Sequence, residues 1–300
     1  MHVHAHPDHA PASPASPQGR LLWMLLLTGG FMGVEAVGGW VSGSLALLAD
    51  AGHMLTDFLA LGLAAGAAWL SGRETTARRT YGFRRAEILA AFCNALALLG
   101  LAAWITVEAI GRLQSPRPVL DGVMLAVAVV GLLVNVVGLA LLHGPARTSL
   151  NVRAALWHVL GDLLGSVGVL TAALVIRFTG WLPMDPLVGL LSAALICVGA
   201  GRILLESTNM LLDTVPKAID TGDVEAFLRG YDGVERICDL HIWGISSSET
   251  MLSAHLVVAP EVERDPFLHA LLADLNARFP LAHMTVQLES TPHDTCPPEW

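Results

Sequence analysis

Charge is scarce in this chain. Of its 300 residues, 14% are charged and 54% are hydrophobic, where an ordinary soluble domain carries about 25% charged residues, and the mean hydropathy is +0.59. The apolar residues fall in long runs rather than alternating, so a soluble core alone does not account for the excess. Basic clusters are lacking too: the net charge is −9 and no basic run exceeds a pair, which excludes a nucleic-acid binder. The four cysteines, Cys93, Cys197, Cys238 and Cys296, are scattered and imply no disulfide framework. There is no His-Glu-x-x-His and no set of paired histidine boxes, which argues against a membrane metalloprotease or a metallo-oxygenase. No enzyme is expected.

What the chain has in abundance is apolar runs long enough to cross a hydrocarbon layer of about 30 Å, which takes roughly 20 helical residues. They predict spans near residues 21–43, 45–70, 86–113, 119–142, 154–178 and 184–208. The reading is therefore a polar tail over 1–20, a six-helix transmembrane domain over 21–210, and a soluble domain over 212–300. The first run follows a polar tail of 20 residues and precedes no small-residue cleavage pattern, so it reads as a retained helix. Arg20, Arg73, Arg78, Arg79, Arg84, Arg85, Arg147 and Arg153 fall on one side, against Arg112, Arg117 and Arg177 on the other. That bias predicts a multi-pass protein of the plasma or inner membrane with both termini cytoplasmic.

Ionisable groups inside such spans are expensive and mark a pathway. In the second span, His53 and Asp57 stand at i and i+4 on one helical face, with Asp50 three residues before. The fifth span repeats the device in His158 and Asp162. One such pair is unremarkable; two, each inside an apolar span, call for a shared purpose. If the two faces meet, two imidazoles and two carboxylates form a four-ligand set suited to tetrahedral zinc. The two carboxylates would neutralise a divalent cation, which lowers the cost of holding it away from water. Mixed nitrogen and oxygen donors disfavour magnesium and calcium and leave cadmium, cobalt, nickel and iron open. Four protein ligands also leave no open position for a catalytic water. Gly52, Gly161, Gly165 and Gly168 flank the pairs and would let the helices approach closely. Of the other intramembrane polar residues, Glu108, Asn135 and Glu206 read as structural, and Glu35 and Asn94 as residues lining an aqueous path.

The stretch Ser44-Leu45-Ala46-Leu47-Leu48-Ala49-Asp50-Ala51-Gly52-His53, the run from Asn151 through His158 and Asp162 to Ser166, and Asp185-Pro186 opening the last span resemble the cation diffusion facilitator family, most closely its zinc-transporting branch. The resemblance covers residues 20 to 290 or so. It implies a homodimer of six-helix protomers in the lipid bilayer, exchanging a cytoplasmic divalent metal for protons by alternating access. The exchange is chemically sound, because zinc needs deprotonated ligands and protonation of His53 and His158 would expel it. Some relatives carry a further site in the loop after the second helix. Residues 71–85 here hold no histidine or cysteine and one carboxylate, Glu74, so no such site is expected. The short link between the fourth and fifth spans leaves His143 an interfacial side chain. The tail histidines His2, His4, His6 and His9 have two readings, a low-affinity metal-capturing tract or an incidental disordered segment.

Beyond residue 212 the pattern predicts helix 218–230, strand 234–243, turn residues Gly244 to Ser248, strand 251–259, helix 265–279 and strand 283–289. This αββαβ order fits a metallochaperone-like, ferredoxin-like α+β domain with its helices on one face. His241, His255 and His283 recur at strand positions, and Glu289, His293 and Cys296 follow. In the resembled family the domain binds zinc and dimerises. That implies a regulatory zinc site built on His241, His255 and His283, with Glu289 and Cys296 as additions. A metal sensor that binds without transporting is the other reading, and ion flux discriminates between them.

Overall fold

The computed structural model describes residues 17–71, 76–142 and 150–291. Within them six long helices are followed by a small mixed α/β segment: α1 Pro17–Ser42, α2 Leu45–Ser71, α3 Ala86–Gln114, α4 Asp121–Leu142, α5 Leu150–Thr179, α6 Met184–Leu211, α7 Thr221–Arg229, β1 Val234–Ser246, β2 Glu249–Val258, α8 Arg264–Arg278 and β3 His283–Glu289. Among the described residues, α3, α6 and the stretches Asp121–Ala140 and Val159–Thr179 are long and apolar enough to cross a membrane. The backbones of α1 and α2, at 26 and 27 residues, are about 40 Å long and sufficient for the same task. The large apolar side chains Trp40, Val107, Leu164 and Phe178 lie exposed on the helices, as lipid-facing residues do.

The helix boundaries follow local chemistry. Helix α1 opens on Pro17, whose missing N–H costs nothing in a first turn. Helix α4 starts at Asp121 rather than 119, where the Leu120 N–H donates outside the helix, to the Ser42 carbonyl at 2.9 Å. Helix α5 starts at Leu150, four residues before the apolar stretch, running through Asn151 and Arg153 where the backbone bonds continue although the side chains are polar. It ends at Gly180, which takes φ +68 and donates its N–H to the Ile176 carbonyl at 2.8 Å.

Contacts divide the chain into two compact units, residues 1–62 with 94–201 and residues 63–93 with 202–300. In the first, α2 belongs to two cores. Ala46 and Leu47 pack with Met124, Ala128, Val169, Ala172, Ala173 and Ile176 of α4 and α5. Ala49 packs with Leu98, Ala102 and Ile105 of α3 and Ala193, Ile196 and Ala200 of α6. The second unit joins the α2–α3 connection to the C-terminal segment through polar contacts: Arg85 Nη2 donates to Asp213 Oδ1 at 2.5 Å, Ser247 Oγ to Glu87 Oε1 at 2.9 Å, and Arg84 pairs with Glu249.

The sheet has the order β1-β2-β3, β1 and β2 antiparallel and β2 and β3 parallel. The parallel step needs a crossover, which α8 supplies. Val224 and Leu228 of α7 and Leu271 and Leu275 of α8 are buried with Ile237, Leu240, Ile242, Leu252, Ala254, Leu256 and Val258, so both helices cover one sheet face. The hairpin is tighter than the turn predicted over Gly244 to Ser248. Gly244 pairs with Thr250 and Ser246 with Glu249 across an irregular register, leaving Ser247 and Ser248 between the strands. Ile245 and Met251 are buried, and ladder pairing overrides the turn propensity of glycine and serine there.

Leu271 is fully buried, so Leu271→Ala is expected to cost about 2 to 5 kcal/mol. Chemical denaturation followed through the signal of the C-terminal segment measures it.

Candidate metal centre

The second helix is held at its N-terminus by three different elements. Ser44 caps it, its Oγ accepting from the Leu47 N–H at 3.2 Å. Asp185, at the start of α6, accepts from the Leu45 N–H at 2.9 Å, the Ala46 N–H at 3.1 Å and the Ser44 hydroxyl at 2.5 Å. Arg112 of α3 lies with Nη1 3.7 Å from Asp185 Oδ2 and donates to the Gly43 carbonyl. Gly43 takes φ +70, a backbone state that turns the chain directly from α1 into α2.

From that anchor α2 carries Asp50, His53 and Asp57 along one side. His53 Nε2 stands 3.8 Å from Asp162 Oδ1 of α5. The imidazole is 41% exposed and the carboxylate 3%, so one edge of the pair is open and the other is enclosed. One turn away, Asp50 crosses to Gly165, where a Cβ would come within 2.7 Å of Asp50 Oδ1. The two contacts run in antiparallel register: three residues onward along α2 is three residues back along α5. The predicted meeting of the two helices therefore occurs at His53 and Asp162. Asp57 and His158 lie within α2 and α5, but their side chains are outside the described ones. Among the described residues no three His, Cys, Asp or Glu side chains gather as a metal-holding group.

The flanking glycines are not equivalent. A Cβ at Gly52 would meet Leu101 Cδ2 at 2.6 Å, and Gly165 admits Asp50, whereas Gly161 faces open space and Gly168 has ordinary room at 3.6 Å. Close approach is thus confined to Gly52 and Gly165.

The other intramembrane polar residues divide by partner. Asn135 Nδ2 donates to Ser166 Oγ at 3.0 Å between α4 and α5. Glu108 accepts from Arg112 and Arg117 at 3.0 Å each, and Glu206 from Lys217 at 2.7 Å; these are the expected structural roles. Glu35 and Asn94 depart from expectation. They are 1% and 8% exposed, packed inside the protein rather than lining water. A Cβ at Gly131 would fall 2.7 Å from Phe31 Cζ and 3.3 Å from Glu35 Oε1, so the glycine leaves room for both side chains.

In the C-terminal segment the sheet face away from α7 and α8 gathers a second polar group. His241 Nε2 lies 2.8 Å from Asp239 Oδ1, and His255 Nδ1 lies 4.0 Å from Glu289 Oε1. Asp239, His255 and Gln287 are register partners across the three strands. Asp239 was not singled out from the sequence, although its i, i+2 spacing from His241 put it on the same strand face. His283 is not brought to this group. It pairs with Met251, four residues along β2 from His255, a separation of about 13 Å at strand rise. Cys238 is buried and disulfide-bonded, a pairing the scattered cysteines did not signal. His293 and Cys296, His143, Glu74 and the tail histidines lie outside the described residues.

Residues 21–212 match the cation efflux transmembrane domain and residues 216–291 the cation efflux protein cytoplasmic domain. Zinc transporter ZitB of Escherichia coli (strain K12) is 44% identical over 294 residues, 97% of this chain and 93% of that one. Metal cation efflux system protein CzcD of Cupriavidus metallidurans is 41% identical over 293 residues, 96% and 90%. The cadmium, cobalt and zinc/H(+)-K(+) antiporter of Bacillus subtilis (strain 168) is 37% identical over 279 residues, 91% and 89%.

The glycine contrast is testable. Gly165→Ala is expected to lower stability in detergent by about 1 to 3 kcal/mol through overpacking, while Gly161→Ala, with open space, is neutral or gains the helix propensity of alanine. Thermal unfolding of the two variants side by side measures the difference.

Proposed function

This chain belongs to the cation efflux family, and from that premise we propose that it exports zinc from the cytoplasm in exchange for protons, binding the ion between α2 and α5. The observation that supports this reading is the approach of His53 on α2 to Asp162 on α5 at 3.8 Å. In this reading the antiparallel spacing of these helices continues one turn further, and Asp57 is taken with His158. The four ligands are then His53, Asp57, His158 and Asp162, two imidazoles and two carboxylates, with the charge and donor set of a closed tetrahedral zinc site. The names of the relatives include zinc, cadmium and cobalt; nitrogen and oxygen donors suit all three, and we take zinc as the principal cargo.

The exchange follows from the ligands. Zinc binds only deprotonated imidazole and carboxylate, so loading on the cytoplasmic side releases protons, and protonation on the far side displaces the ion. Both termini are cytoplasmic in this reading, by the arginine bias. The protein acts as a homodimer through its C-terminal domain. That domain carries a regulatory zinc site on the open sheet face, with Asp239, His241, His255 and Glu289 as ligands. Zinc bound there favours the state that binds it, by mass action.

Two measurements test this. In proteoliposomes with an acidic lumen, zinc uptake by the wild-type chain is expected to exceed uptake without a gradient, and Asp162→Ala or His53→Ala to reduce it by at least about 100-fold, more than the loss of a group that only orients a ligand. Flux that ignores the proton gradient would overturn the exchange. His255→Ala is expected to lower the zinc bound per chain and to shift the zinc dependence of transport, with maximal flux retained within about twofold; isothermal titration and the same flux assay read both.

A further inference from the structure

We propose that Asp185 is a positioning residue for transport: by capping α2 from another helix, its carboxylate fixes the height and rotation at which His53 meets Asp162. The inference rests on the reading of His53 and Asp162 as ligands of the cargo.

A helix needs partners for its first N–H groups, and Ser44 already provides the local cap found at many helix starts, bonding the Leu47 N–H. If α2 required only a start, Ser44 would suffice. Asp185 adds something a local cap does not. It is 0% exposed, it lies 140 residues away in sequence, and both of its oxygens are committed to α2, Oδ1 to Ser44 Oγ and the Ala46 N–H, Oδ2 to the Leu45 N–H. The axis of α2 is thereby tied to that of α6. One turn further along α6, a Cβ at Gly189 would meet Leu45 Cβ at 3.2 Å, so the two helices are also in close contact there. Arg112 places a cation beside the same carboxylate and holds the Gly43 carbonyl of the preceding turn. The carboxylate, the guanidinium and the serine thus leave α2 one longitudinal setting at this end.

His53 follows eight residues after Leu45, about 12 Å along the helix. A slip of α2 by one residue moves His53 about 1.5 Å along the axis and turns it about 100°, whereas a metal site tolerates displacements of only about 0.5 Å. The clamp and the site come from different helices: Asp185 and Arg112 from α6 and α3, Asp162 from α5. Loss of the clamp therefore reaches the site through the setting of α2, and its signature is altered affinity and selectivity in protein that still folds.

The test compares the full-length wild type, Asp185→Asn, Ser44→Ala and His53→Ala in proteoliposomes. Flux is measured against zinc and against cadmium, and the amount of folded protein by size exclusion in detergent. Asn at 185 leaves one acceptor and turns an NH2 toward a helix N–H. Asp185→Asn is expected to raise the zinc KM about tenfold, the range for groups that orient metal ligands, to keep the maximal rate per folded molecule within about twofold, and to change the zinc-to-cadmium KM ratio. Ser44→Ala, which retains the bonds from Leu45 and Ala46 to Asp185, is expected to shift the KM in the same direction by less. A folded Asp185→Asn protein with unchanged KM and unchanged ratio would overturn the proposal. If that variant yields no folded protein, an unchanged KM and ratio in Ser44→Ala overturns it instead. Wild-type flux in His53→Ala would overturn the site assignment, a different failure from an unchanged Asp185→Asn beside an inactive His53→Ala.

Discussion

The first N–H groups of a helix have no partner within it, so where they are buried another part of the protein has to supply one. In this chain that constraint is met at the first turn of α2 by Ser44 and Asp185. Much else follows from it. The turn at Gly43 draws in Arg112, and the Ser42 carbonyl takes the N–H that precedes α4. The helix so fixed then enters two hydrophobic cores, Leu47 in one and Ala49 in the other. The polar clamp sets where α2 stands; the cores set what stands around it; and its His53 reaches Asp162 as a result.

The transmembrane architecture was legible because its signal is strong. Runs of twenty apolar residues have few other uses, and the i, i+4 duplication of histidine and aspartate in two of them marked the elements that meet. The sequence was less informative where identity depends on three-dimensional register. Asp185 stood out only as part of a resemblance, and nothing in its local sequence says that it caps a helix 140 residues away. Glu35 read as a residue facing water, but the glycine at 131 opens a seat for it inside the protein. On the sheet, His283 shares a strand face with the other histidines yet stands four residues off their row, and only the β2–β3 pairing reveals this. Asp239 was hidden for the opposite reason, since carboxylates are common in strands at surfaces.

The His53–Asp162 pair and the polar group on the sheet sit in contrasting surroundings. The Asp162 carboxylate is 3% exposed, almost wholly enclosed, so a charge on it sits in low dielectric. Asp239, His241 and His255 lie on an open sheet face where solvent shares the cost of charge. An ion in the first setting would be held against a steep penalty and would have to be released by a change in its ligands. One in the second could come and go as its concentration varied.

The missing side chain at position 165 carries a consequence for ionic radius. Where α5 passes α2, a bare backbone on α5 meets one carboxyl oxygen of Asp50, so α5 itself has no side-chain volume there that could be trimmed or enlarged by small steps. The helix pair is thus a gauge with a fixed jaw. A lineage adapting this scaffold to a larger cation cannot widen the gap gradually at that point, because the smallest step available there is a whole methyl group.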